Sequence, residues 1–500
     1  MSTFPDRKSF ATQYDTGRPQ VVWTSLVADL ETPVSAMLKL AEGRPYSFLL
    51  ESVEGGATRG RYSIIGIKPD LIWRSRSQRV EINRRARFDL DAFEPVPGEP
   101  LDCLRALMIE SRIELPAELP PMSAGLFGQM TYDMVRQVER LPEKNADRLD
   151  LPEAVFMRPT LVAIFDNIED RVTVVTPVYP SPEMSADRAF ELARERLSDA
   201  VADFSRGINP SGARMSSPHP EPVSNMTRET FKEMVEKAKD YILAGDIFQV
   251  VPSQRFEVPF ELPAFALYRA LRRLNPSPFL FFLELDGYTL VGSSPEILVR
   301  LRDGVVTIRP LAGTRRRGRD ADEDRALAEE LLTDPKELAE HLMLLDLGRN
   351  DVGRVAQVGS VEVTEQMQIE YYSHVMHIVS NVQGRIRPEL DAIDALMAGF
   401  PAGTVSGAPK VRAMEIIEEL EPERRGFYAG TVGYISADGD MDTCIALRTG
   451  LVKDGKLYIQ AGGGVVADSD PDAEFEESVN KAKALVRAAE EAVRFAQRSR

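Results

Sequence analysis

FLFFLELDGYTLVGSSPEILVRLRDGVVTIRP, residues 279–310, holds four strand-like runs in succession, at 279–285, 289–292, 297–301 and 305–309. No helical stretch separates them. Strict alternation of strand and helix would point to a doubly wound parallel sheet, whereas consecutive strands point to the α+β class. Further strand-like runs at 248–251, 375–381, 431–435, 445–451 and 456–460 are interspersed with helical patterns at 322–332, 335–347, 390–397, 410–419 and 471–495. This half opens with a helix in which Phe231, Met234, Val235, Ala238 and Ile242 share one face and Gly245 stops the turn.

Upstream, residues 47–52, 62–66 and 171–178 read as strands, 34–41 and 186–204 as helices, and the proline-rich 94–100 as a loop. Residues 205–224, SRGINPSGARMSSPHPEPVS, are rich in Ser, Pro and Gly and poor in apolar side chains, so they read as a linker. The expected organisation is an N-terminal domain over 1–204, the linker over 205–224 and a second domain over 225–500.

The 500 residues are 43% hydrophobic and 28% charged, an ordinary globular composition, with a formal net charge of −17. That charge repels phosphates and argues against a nucleic-acid partner, while leaving room for a locally basic pocket. Two cysteines, Cys103 and Cys444, make neither a disulfide framework nor a zinc site. The first 15 residues lack an apolar signal core, and no apolar run is long enough to span a bilayer. A soluble, cytoplasmic protein without membrane contacts is expected.

Two helices carry carboxylates on one face. After Asp334, a cap, and Pro335, the residues Glu337, Glu340, His341 and Leu344 fall on one side, with Glu337 positioned for a capping box. After Asp470 and Pro471, Glu474, Glu477 and Lys481 repeat the design. Facing each other across a pocket, these oxygens suit Mg²⁺; the plainer reading is two solvated helix faces. Gly462, Gly463 and Gly464 precede the second helix and let backbone N–H groups approach an anion, or simply make a tight turn. His377 sits among valines in a strand run, where a histidine is usually structural. Glu296 follows Ser-Ser-Pro at a strand end, where a partly apolar setting would raise its pKa and suit it as a general acid. Arg448 lies in the apolar run 445–451 and there needs an anionic partner, from the chain or from a ligand. The four histidines, His219, His341, His374 and His377, are too few and scattered for a histidine-rich metal site.

Taken in order, several stretches resemble one family, the chorismate-utilising enzymes, and within it the anthranilate synthase component I branch. They include GDIFQVVPSQRF (245–256), NPSPFLFF (275–282), GSSPEILVRL (292–301), RPLAGTRRRG (309–318), DPKELAEHLMLLDLGRNDVGRV (334–355), VMHIVSNVQG (375–384), FPAGTVSGAPK (400–410), YAGTVGYIS (428–436) and AGGGVVADSDPDAEFEESVNKAKA (461–484). LLES (49–52) and RGRYSIIG (59–66) carry the match into the other half. The resemblance implies a two-lobed fold with antiparallel sheets and helices around a central cleft. It implies Glu340 and Glu477 as Mg²⁺ ligands, supported by Glu337 and Glu474, with the cation and the backbone at Gly462, Gly463 and Gly464 holding the ring carboxylate of chorismate. Tyr428 and Arg448 would hold the enolpyruvyl carboxylate, with Lys481 and Thr404 nearby. Glu296 would protonate the departing 4-hydroxyl, and His377 would line the ring and assist the loss of pyruvate.

Two positions select among family members. Where isochorismate and salicylate synthases carry a water-activating lysine, this chain has Gln249. Where aminodeoxychorismate synthase component I, the alternative assignment, usually carries a nucleophilic lysine, it has Ala312. Both choices imply ammonia as nucleophile and anthranilate as product. Neither cysteine lies in a glycine-flanked nucleophile motif, so a separate glutamine amidotransferase subunit is implied as ammonia source. The resemblance further implies feedback inhibition by tryptophan at Glu51, Ser52, Asn275, Pro276, Ser277, Pro278, Phe279, Leu280, Val432 and Tyr434. Phe279 replaces a common tyrosine and Leu311 a more usual isoleucine, both conservative in volume. The basic run Arg315, Arg316 and Arg317 is left open between substrate, partner and solvent.

Overall fold

The run that begins at residue 279 folds as two successive antiparallel hairpins. Phe279–Glu284 pairs with Thr289–Ser294, and Ile297–Arg302 with Val305–Ile308. The second hairpin closes through Asp303 and Gly304, at φ +50° and +73°, the left-handed pair that a two-residue hairpin turn requires. A computed structural model describes residues 2–41, 43–54, 58–208, 221–372 and 375–498.

The other edge of Phe279–Glu284 belongs to the N-terminal half. Ser47–Glu54 pairs with it, Glu51 opposite Leu280. Thr431–Ser436 likewise lies between Gly125–Met130 and Met441–Ile445. Among the described residues, twenty-one strands join one hydrogen-bonded network, and its ladders are antiparallel. Residues 205–224 therefore divide the chain without dividing the sheet. Of that stretch, 209–220 lie outside the described residues. Its end is not loop: Val223–Ser224 pairs with Phe256 and Glu257, because the backbone there finds an open strand edge. Within 94–100, read as loop, Glu94–Val96 is a short edge strand against Arg79–Asn83, and Pro100 opens the helix Pro100–Glu110.

Helices cover the outer faces. Ala264–Leu274 and Pro471–Arg498 pack together through Leu267, Leu271, Leu485 and Ala489, all fully buried. Their core also takes Phe10, Leu197 and Ile65, so one apolar cluster draws on both halves of the chain. The helix Ala186–Phe204 has the bounds its pattern gives, with Ser185 capping the N–H of Arg188. Pro335–Gly353 lies on the strands Leu311–Arg316 and Val375–Arg385 and so carries its acidic face to the sheet's inner end. Among the described residues, no helix is long and apolar enough to cross a membrane.

Packing is tight in the first hairpin, whose second strand leads to Glu296. A methyl group on Gly292 would lie 2.1 Å from Cζ of the buried Phe281. Gly292→Ala should therefore cost about 1–3 kcal/mol through overpacking. A lowered thermal unfolding midpoint would show it; an unchanged midpoint would show that the Phe281 ring can yield.

Candidate active site

The two acidic helices converge on the glycine triplet. A methyl on Gly463 would stand 2.6 Å from Glu474 Oε2 and 3.7 Å from Glu477 Oε1; one on Gly464 would stand 2.2 Å from Gln249 Nε2 and 3.7 Å from Glu340 Oε1. Only glycine leaves room for this approach. Gln249 Nε2 donates to Glu340 Oε1 at 3.2 Å, and Ser469 donates to Glu474 Oε1 at 2.7 Å. Glu474 Oε2 is buried without a hydrogen-bond partner. Burial, and then the neighbouring Glu337 and Glu477, push the Glu340 carboxyl above its ordinary pKa; burial and Glu477 do the same to Glu474. Lys481 Nζ bridges Glu477 Oε1, at 2.7 Å, and the Gly462 carbonyl, at 3.0 Å. Among the described residues, no three ligand-type side chains already surround one point.

Asp334 caps its helix by accepting from the N–H groups of Lys336 and Glu337. The expected capping box does not close, because Arg315 Nη1 takes the Glu337 carboxylate at 2.7 Å. His341, on the same face, is fully buried with Nε2 2.7 Å from Ser380 Oγ; it packs the helix onto the sheet.

Glu296 is buried at the mouth of its hairpin, and desolvation pushes its pKa up to about 8. Thr404, whose buried hydroxyl has no hydrogen-bond partner, and the backbone of Leu311 stand near the carboxyl and partly offset the desolvation. Arg448 is not in a strand. The apolar run 445–451 breaks into Met441–Ile445 and Thr449–Lys453, since the first pairs with Ile297–Arg302 and the second with Thr289–Ser294. Arg448 sits in the bend at φ +47°. Burial lowers the pKa of its guanidinium, and its charge interactions are with Tyr372 and Glu296, not with an ion-paired carboxylate.

His377 Nδ1 is 3.1 Å from the Gly313 carbonyl and 3.0 Å from Thr314 Oγ1. A carbonyl only accepts, so Nδ1 carries the proton and Nε2 is the unprotonated nitrogen. Burial, then Arg448, lowers the ring's pKa to about 4, which keeps it neutral. Tyr372 crosses the ring edge-on at 5.4 Å. Its position came from the register Tyr371 opposite Met376, which spacing along the chain does not reveal. Thr314, inside a stretch already singled out, faces His377 across a bulge that sequence also hides. Tyr428 is buried, its hydroxyl against the backbone of Gly462, so burial first and foremost raises its pKa to about 12.

A cavity of about 920 Å³ joins Glu296, Leu311 and Tyr372 to Glu51, Ser52, Pro278, Phe279, Leu280, Val432 and Tyr434. Asn275, Pro276 and Ser277 lead into that wall without lining it. Asn275 Nδ2 is buried without a partner. Glu51 is neutralised within the chain by Arg272, at 2.6 and 2.8 Å, and by the Tyr268 hydroxyl. Ser52 donates to the Tyr62 carbonyl at 3.4 Å.

Fold and site together define an enzyme with a buried acid, a neutral histidine and an acidic, glycine-lined rim. Residues 68–487 match the chorismate binding enzyme model, and the chain belongs to that family. It is 61% identical over 495 residues to anthranilate synthase component 1 of Cereibacter sphaeroides, covering 98% of this chain and 99% of that one. It is 46% identical to the Aquifex aeolicus protein of the same name, over 94% of each. The crystal structure of anthranilate synthase component I from Streptococcus pneumoniae matches with a TM-score of 0.76 at 38% identity, covering 86% of this chain and 92% of that one.

The Glu296 carboxyl should hold its proton at pH 7 and release it near pH 8. Its protonated C=O stretch in the infrared should fade through that pH and be absent in Glu296→Gln. A carboxylate already formed at pH 6 would show that water reaches the group.

Proposed function

We propose that this chain is the chorismate-using component of anthranilate synthase, converting chorismate and ammonia to anthranilate, pyruvate and water. The observation that carries the reading is the likeness to anthranilate synthase component 1 along nearly the whole chain, 61% over 98% of it. Ala312, buried opposite Ile378, supplies no nitrogen for attack on the ring, and Gln249 spends its amide on Glu340 rather than on activating water. Both support free ammonia as nucleophile over the aminodeoxychorismate synthase alternative.

Mg²⁺ fits the acidic rim. The donors are carboxylate oxygens, one of them buried and unpartnered, on helices that meet at a backbone free of side chains. Glu340 and Glu477 would hold the ion, Glu474 would support it, and Glu337, held by Arg315, would act at one remove. When bound, the cation supplies positive charge to a substrate carboxylate. Arg448, with no carboxylate of its own, takes the second carboxylate of the dianion beside the Tyr428 hydroxyl. With both ends fixed, the C4 hydroxyl faces Glu296. The acid gives its proton to that hydroxyl, which leaves as water while ammonia bonds to C2. His377 lies along the ring as a neutral base for the C2 proton, whose removal accompanies loss of pyruvate and restores aromaticity.

The reading includes ammonia delivery by a separate glutamine amidotransferase subunit. It also includes inhibition by tryptophan in the far end of the cavity, between Ser52, Phe279 and Tyr434. The shared cavity supports a direct route from that end to Glu296.

The deciding experiment incubates the purified chain with chorismate, Mg²⁺ and excess ammonium and follows anthranilate fluorescence. Fluorescence should rise, and should vanish with EDTA and in Glu477→Ala. Arg448→Met should raise the KM for chorismate about 10- to 100-fold, the loss of charge-assisted hydrogen bonds worth about 1.5–3 kcal/mol. Chorismate consumed without fluorescence would assign a sister activity; chorismate left intact would overturn the reading.

A further inference from the structure

Beneath Tyr428, the guanidinium of Arg425 is buried to 2% exposure and engaged on every nitrogen. Nε and Nη2 hold both oxygens of Glu421, at 3.1 and 2.7 Å. Nη1 donates to the Val405 carbonyl and Nη2 to the Val251 carbonyl, each at 2.6 Å. The cation lies over the rings of Tyr132 and Tyr428, 5.0 and 5.3 Å from their centroids. Glu421 Oε1 in turn accepts from the N–H and the hydroxyl of Ser253, at 2.9 and 2.8 Å. Ser253 is the register partner of Gly462.

Apart from the Tyr132 ring, these contacts lead to pocket groups along the chain or across the sheet. Val405 follows Thr404, Val251 lies two residues after Gln249, Ser253 fixes Gly462, and Tyr428 is touched directly. These groups come from four separate segments of chain. A buried ion pair is a weak source of stability, because desolvating both charges offsets their attraction. What guanidinium adds is geometry: five donors in one rigid plane.

We propose that Arg425 is a positioning residue for the chorismate pocket, its planar fork setting the relative placement of Gln249, Thr404, Tyr428 and Gly462. Lysine keeps the charge but lacks the plane, so it cannot hold Glu421 and two carbonyls together. The inference rests on reading this pocket as the chorismate site.

The test measures ammonia-dependent anthranilate formation by the full chain and by Arg425→Lys, below the thermal unfolding midpoint of both. A misplacement on the scale of 1 Å should lower kcat/KM about 100-fold. As Thr404 moves off the Glu296 carboxyl, the pKa of that acid rises, and the alkaline limb of the kcat profile should move to higher pH. A role in folding alone would lower the midpoint and leave the limb in place. Should Arg425→Lys fail to fold, Glu421→Gln carries the same readouts, with a loss of about tenfold for one charge-assisted contact. Variants within about twofold of the parent, with an unmoved alkaline limb, would overturn the positioning role while leaving the function intact. A parent that makes no anthranilate would overturn both.

Discussion

Strand Phe279–Glu284 is hydrogen-bonded on both edges, to Ser47–Glu54 on one and to Thr289–Ser294 on the other. A central strand of this kind leaves no free edge, so neither half of the chain can complete its sheet alone. The pairing also decides what shares a cavity. It places Glu51 and Ser52 beside Phe279 and Leu280, and it delivers the chain directly to Glu296 at the end of the next strand. An occupant of one end of the cavity thus rests on the strand whose hairpin partner leads to the acid at the other.

Charge is distributed inside this frame by burial rather than by composition. The chain's net charge of −17 says little about the pocket, where Lys481 answers Glu477 and Arg315 answers Glu337 while other groups are left to burial. Glu340, Glu474 and Glu477 gather at the glycine triplet, and burial raises the first two. Arg448 instead interacts with Glu296, an acid whose raised pKa keeps it neutral near pH 7.

The parts of the fold set by local chemistry were legible in the sequence. Asp334 with Pro335 announces its helix because caps act within a turn. The two hairpins were legible because strand runs follow one another without a helix. What escaped was set by pairing at a distance. The run 445–451 reads as one apolar strand, yet its two ends serve different neighbours, and the bend between them gives Arg448 its aim. The strand Thr58–Arg76 was seen only at 62–66, since Lys68 at φ +53° and Pro69 interrupt its pattern at a bulge. Tyr372 and Thr314 join the site through register alone, and Arg425, one of two adjacent arginines, gives no sign that it is buried.

The basic run at Arg315, Arg316 and Arg317 bears on the acidic rim at the glycine triplet. It is not a solvated loop: Arg315 reaches Glu330, Asp334 and Glu337, Arg316 reaches Glu323, and Arg317 takes Asp324. These pairs fasten the helices Ala321–Thr333 and Pro335–Gly353 to the strand Leu311–Arg316. Because Glu337 is committed to Arg315, its charge is already answered and its carboxylate is directed toward the strand. Glu340, one turn further along the same helix face, has no arginine and instead meets Gln249 and the glycine triplet. Two glutamates of like chemistry therefore differ in role for a physical reason. The one with a guanidinium partner anchors the helix, and the other is left partly buried and poorly compensated beside Glu337 and Glu477.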